Sequence, residues 1–160
     1  MAWWKSLPTS SRTFLRLTAA DRWTLAQAAL LLPITAAAFR ALGFRRWQRT
    51  LERWSPRTAG VAERPDAAGQ AYRIAWLVRV AARFVARGDS CLAQSLVLWW
   101  LMRRQGQVGE LRVGVRKRGE LLQAHAWVEC RGVVLNDRGD EVSPFVAFDR
   151  ALVPLESGSA

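Results

Sequence analysis

"LLQAHAWVECRGVVLND", Leu121–Asp137, reads as two β-strands joined by a tight turn, and its register decides what the rest of the chain can build. Successive strand residues point to opposite faces. Ala124, Ala126, Val128 and Cys130 therefore share one face, and His125, Trp127 and Glu129 share the other. The turn has two readings. A two-residue Arg131-Gly132 loop pairs Ala126 with Asp137 and sends the aspartate to the face away from His125. A three-residue loop of Cys130, Arg131 and Gly132, closed by a left-handed glycine, moves the pairing by one. Glu129 then faces Val133, Trp127 faces Leu135 and His125 faces Asp137. A slip of one residue turns every side chain over. Glycine in third place favours the longer loop, and with it a His125–Asp137 pair.

Working outward, Leu111, Val113 and Val115 alternate with Arg112, Gly114 and Arg116, the pattern of a strand with one wet face. From Ser143 the tail supplies one further short strand. Upstream the period changes from two to helical. Thr18 to Phe44 reads as a helix with Asp21 near its start, Arg40 near its end and Gly43 as its stop. Its uncharged middle, Trp23 to Phe39, contains Thr24, Gln27, Pro33 and Thr35 and leans on alanine. That composition predicts a helix buried or facing a partner rather than a bilayer span. Arg45, Arg46 and Arg49 form a basic face suited to a membrane surface or an acidic partner.

Ser55 to Gln70, punctuated by Pro56, Gly60, Pro65 and Gly69, reads as a linker. From Ala71 a second helix carries a stripe of Tyr72, Ile74, Ala75, Leu77, Val78, Ala81, Ala82 and Val85, and Gly88 ends it. A third helix starts at Ser90 or Cys91 and runs to Arg104, with Gly106 as its cap. Helices first and an antiparallel meander afterwards is an α+β arrangement. The expected organisation is a basic helical arm over 1–54, a linker over 55–70 and a compact core over 71–160.

The formal charge of +11, almost all arginine, permits nucleic acid, anionic lipid or an acidic peptide as partner without choosing among them. Two cysteines make no disulfide framework and suit a reducing compartment. With no secretory signal at Met1–Lys5, a cytoplasmic location is expected. Nothing calls for a cofactor. Gly106, Gly109 and Gly114 match no phosphate-cradling loop, and a single histidine with no second cysteine at ligand spacing argues against zinc.

The chemistry gathers on three residues. Cys91, at a helix start, lies among backbone N–H groups that no turn has yet satisfied, a setting that favours a thiolate nucleophile and a developing oxyanion. His125 is the only histidine; an imidazole within reach of a thiol can take its proton and return it to a leaving amine. Asp137, in the longer-loop register, can orient that imidazole. Trp127, two residues from His125 on its face, is a candidate cleft wall. Glu129 sits too far along the strand to replace Asp137, and Cys130 reads as structural.

Taken in order, "CLAQSLVLWWLMRRQG", "LRVGVR" and "AHAWVECRGVVLND" resemble the transglutaminase-like cysteine proteases that mature lasso peptides, and in particular the free-standing leader-peptidase subunit of a split system. The likeness covers the second half of the chain; the first half matches only in its basic, alanine- and leucine-rich character. Gln94 departs from the pattern, standing where a basic residue is common. The resemblance implies Cys91 as nucleophile, His125 as general base and acid, and Asp137 as its orienter. It implies a precursor peptide as substrate and a separate winged-helix protein that grips the leader. An ATP-dependent macrolactam synthetase would take the freed core. It gives no role to specific nucleic acid and leaves peripheral membrane contact open. Two other readings of the same residues stand beside it: acyl transfer to an amine, as a transglutaminase performs, and a non-catalytic basic protein that binds nucleic acid or a membrane surface.

Overall fold

Thr18 caps the first helix. Its hydroxyl accepts a hydrogen bond from the Asp21 amide, while the Asp21 carboxylate accepts one from the Thr18 amide at 2.8 Å. This reciprocal box satisfies two amides that a helix start leaves unpaired. The computed structural model describes residues 17–54, 67–85, 91–137, 142 and 144–147.

Helix α1 runs over Ala19–Leu42 and ends at Gly43, whose φ of 77° is one that side-chain-bearing residues avoid. Helix α2, Phe44–Arg53, buries Trp47, Gln48 and Leu51 and turns Arg45, Arg46, Arg49 and Arg53 to solvent. The Trp47 indole N–H donates to the Thr35 hydroxyl at 3.2 Å, so α2 folds back onto α1.

Helix α3, Ala67–Val85, begins four residues before the sequence pattern suggests, taking in residues read as linker. Residues 55–66 lie outside the described part. The expected stripe from Ile74 to Ala82 is buried, but Tyr72 is exposed and Ala71 is buried instead. Helix α4, Cys91–Arg104, is the core of the molecule: every residue from Ser95 to Met102 is buried. Such an all-round apolar helix needs cover on each side. The sheet supplies it on one side, and α1 and α3 on another. Gly106, at φ 72°, caps it, and the Gln107 amide returns to the Met102 carbonyl at 2.8 Å. The predicted Gly88 stop and Ser90 start fall outside the described residues.

A polar seam joins the three long helices. The buried Gln107 donates to Gln70, Gln70 to Gln105, and Gln105 to Thr24 of α1. Asp21 accepts a bidentate pair from Arg73 of α3, at 2.6 and 2.5 Å, which ties the cap of α1 to its neighbour. Arg73 beside it holds the Asp21 carboxyl well below the usual carboxylate range, and the Thr18 contacts reinforce this against the opposing effect of burial.

The strands are β1, Glu110–Arg118; β2, Leu121–Cys130; β3, Val133–Val134; and β4, Val146–Ala147. They form one antiparallel sheet in the order β3-β2-β1-β4. Leu111 and Val128 face the helices and join the core. The opposite face of β1 is not fully wet. Gly114 is buried there, and a side chain on it would meet the Trp127 ring at 2.8 Å and the Val146 carbonyl at 2.9 Å. Only glycine lets the indole and β4 close over β1.

The hairpin overturns the three-residue loop. Cys130 pairs with Val133 and Glu129 with Val134, so the turn is the two-residue Arg131-Gly132. Both residues have positive φ, 52° and 76°. Such turns match the right-handed twist of paired strands, which outweighs the modest strain of a left-handed arginine. Leu135 accordingly sits opposite Val128, not Trp127, its amide donating to the Val128 carbonyl at 3.0 Å.

Asp21 yields a pH-dependent expectation. Its folded pKa is depressed, so the stability it contributes is fully present above the unfolded value of about 4 and shrinks as pH falls below that. Asp21→Asn is expected to lower the melting temperature at pH 7, through loss of the cap and the Arg73 pair, by the equivalent of about 1–2 kcal/mol. Thermal melts of both proteins should converge as pH falls from about 5 toward 2; a constant gap would show that the charge of Asp21 is not what matters.

Candidate active site

With the two-residue turn, regular pairing would place Asp137 opposite Ala126 and away from His125. The structure brings Asp137 to His125 all the same: Nε2 of the ring lies 2.8 Å from Oδ2 of Asp137. The reason is that β3 stops after Val134 and the chain leaves the ladder past Leu135. Asn136 replaces the missing strand with its side chain. Its Oδ1 accepts from the Val128 amide at 2.8 Å, and its Nδ2 donates to the Ser95 hydroxyl at 2.9 Å. Ser95 in turn donates to the Ala126 carbonyl at 2.8 Å. Freed from the pleat, the next residue swings its carboxylate to the His125 face. Arg79 of α3 donates to the Leu135 carbonyl at 3.4 Å and steadies the departing segment, and the buried Leu135 anchors it in the core.

The same hydrogen bonds hold the helix that begins with Cys91 against β2. Its helix start precedes Ser95 by one turn, on the same face. Met102 lies beside Val128, since a side chain on Gly109 would touch both, and Ser95 lies at Ala126. Running α4 backward toward Cys91 therefore runs β2 backward toward His125. Cys91 opens the helix half-buried, and its thiol is in no disulfide.

Two aromatic rings pack near the imidazole. Trp127 stacks on it, with centroids 6.2 Å apart and planes 19° from parallel, and Phe145 lies tilted against it at 5.2 Å. Trp127 is fully buried under Gly114, so it backs the histidine rather than lining an open wall. Its indole N–H donates to Glu129 at 2.6 Å, and Arg112 lies 3.5 Å from the same carboxylate. Glu129 is thus committed to Trp127 and Arg112. Cys130 sits at the far end of β2, where burial pushes its thiol up and nearby Arg131 opposes this more weakly; it is poorly suited to be a nucleophile. Among the described residues no group of three His, Cys, Asp or Glu could hold a metal ion.

The transglutaminase-like superfamily model matches residues 16–148. The chain belongs to that superfamily. The match begins in the helical arm, so this transglutaminase-like domain takes in α1 and α2 as well as the Cys helix and the sheet. No curated protein and no solved structure matches the chain. The superfamily includes cysteine peptidases and acyltransferases, reactions that both pass through a thioester.

Sequence reasoning missed Ser95, Asn136 and Phe145. Ser95 could have been suspected as the one hydroxyl in an apolar helix, four residues past Cys91. Asn136 carries no periodic signal, because its role begins where the strand pattern ends. Ser95→Ala would leave the Asn136 amide and the Ala126 carbonyl short of a buried partner, and is expected to destabilise the fold by about 1–3 kcal/mol. Chemical denaturation of the variant tests this; an unchanged midpoint would mean that water serves the site equally well.

Proposed function

We propose that this chain is a cysteine peptidase that removes the leader from a ribosomally made lasso precursor peptide, with Cys91, His125 and Asp137 as its triad. The observation that supports the reading is the 2.8 Å contact between Asp137 and Nε2 of His125. With Nε2 donating to Asp137, Nδ1 is left to accept the thiol proton.

The Cys91 sulfur attacks the scissile carbonyl as His125 takes its proton. The amide groups at the start of α4 face the oxyanion. The protonated imidazole, stabilised by Asp137, then gives its proton to the departing amine, which is the new amino terminus of the core. Water, deprotonated by His125, cleaves the remaining thioester, releasing the leader as a carboxylic acid and restoring the thiol. Phe145 and Trp127 hold the ring in place throughout. A separate winged-helix protein would present the leader, and an ATP-dependent macrolactam synthetase would consume the core. Delivery of the acyl group to an amine instead of water is the second reading, and it uses the same triad.

Incubation with a leader-recognition protein and a precursor peptide is expected to yield free leader and core, with iodoacetamide blocking the reaction. Product masses separate the two readings, since hydrolysis leaves a leader acid and transfer leaves a leader amide. Cys91→Ala and His125→Ala should abolish turnover, Asp137→Asn should lower kcat by about 10²- to 10⁴-fold, and moderate salt should be tolerated. Persistent cleavage by Cys91→Ala would falsify the assignment, whereas binding that survives Cys91→Ala but fails with added salt would favour the basic, non-catalytic reading.

A further inference from the structure

Helix α1 has one face that the fold does not account for. Thr24, Ala28, Leu32 and Thr35 point inward, yet the residues that face outward are just as apolar. Between Arg22 and Arg40 the exposed positions are Trp23, Ala26, Leu30, Pro33, Ile34 and Ala37. They recur at three- and four-residue steps and so form one continuous stripe, about 21 Å long at the rise of an α-helix. Trp23 is 66% exposed and Leu30 64%. A helix on the surface of a soluble domain ordinarily puts charge on this side. Here charge appears only at the two ends, and all of it is positive: Arg22 at one, and Arg40 with the outward Arg45, Arg46, Arg49 and Arg53 of α2 at the other.

We infer that this stripe is a membrane-surface docking site, with α1 lying in the plane of an anionic bilayer. Two observations favour lipid over a protein partner. First, protein interfaces carry roughly one hydrogen bond per 100–200 Å², and between Arg22 and Arg40 no exposed position carries a polar side chain, the half-buried Gln27 at the edge of the stripe being its one polar neighbour, a scarcity that acyl chains tolerate and a protein partner does not. Second, the arginines at both ends match anionic headgroups, and the chain as a whole carries +11. By length and composition α1 could also cross a membrane. Its inward face, however, is packed against α3 and α4 and tied to them through Asp21–Arg73 and the glutamine seam, so it lies on the surface. An apolar face sunk to the acyl boundary with basic residues at headgroup level is how in-plane amphipathic helices bind.

The inference does not depend on the peptidase reading. Flotation of the full chain with phosphatidylcholine vesicles, with and without phosphatidylglycerol, tests it directly. The chain is expected to float with the anionic vesicles at least about tenfold more strongly than with neutral ones. Leu30→Glu combined with Ile34→Glu should reduce that binding at least about tenfold, with the melting temperature little changed because both side chains are already exposed. Should that variant not fold, quenching of the wild-type chain by brominated lipid decides the matter, and Trp23→Phe should remove a share of the quenching. The proposal is overturned if the chain does not bind anionic vesicles, or if the folded double variant floats as well as the wild type. It is also overturned if the chain forms dimers in solution that the variant dissolves while lipid is ignored, which would assign the stripe to a second copy.

Discussion

Ser95 sits where a helix, a strand and a loop meet, and the site rests on how the open hydrogen bonds of that strand are closed. Past Leu135 the ladder has no third strand, so the edge of β2 at Ala126 and Val128 is open in a buried setting, where unpaired backbone groups are expensive. The Ser95 hydroxyl takes the Ala126 carbonyl, and the Asn136 amide takes the Val128 N–H and reaches back to Ser95. Two side chains thereby do the work of two strand residues. The exchange fixes the helix that starts with Cys91, the strand that carries His125 and the segment that carries Asp137 as one unit. It also explains why the carboxylate appears on a face that strict alternation would deny it.

The helices act as a mould for this arrangement. An α4 buried on all sides has little freedom to slide, because Trp99, Leu101 and Met102 already fill their places in the core. The polar seam of glutamines and the Asp21–Arg73 pair then set α1 and α3 around it. Each is a specific, directional contact in an otherwise apolar bundle, and such contacts select one packing among many of similar burial. The superfamily match that begins at residue 16 agrees with this view of the arm as part of the domain rather than an appendage.

Much of this was legible in the sequence, though not evenly. Thr18, Asp21 and Gly43 mark the limits of α1 by local chemistry alone, and Gly106 marks the end of α4 in the same way. The α+β order follows from the change of period after Gln107. The His125–Asp137 pair was anticipated for the wrong reason. A glycine in the turn was read as the third residue of a longer loop, while the twist of the strands preferred a two-residue turn with a left-handed arginine. What rescued the pair was the departure of the chain at Leu135, a tertiary event with no periodic trace. Cys91 was visible only as a residue at a helix start; its direction relative to His125 depends on contacts at Gly109 and Ser95 that sequence spacing does not encode.

The imidazole of His125 neighbours both an indole and a phenyl ring, with one nitrogen already engaged by a carboxylate. To spin about its own axis it would have to part from both aromatics and abandon that partner at the same moment. The Asp137 contact and the packing of both rings thus put the two nitrogens in different surroundings, and Trp127, buried beneath a glycine, is the fixed backstop against which the imidazole rests.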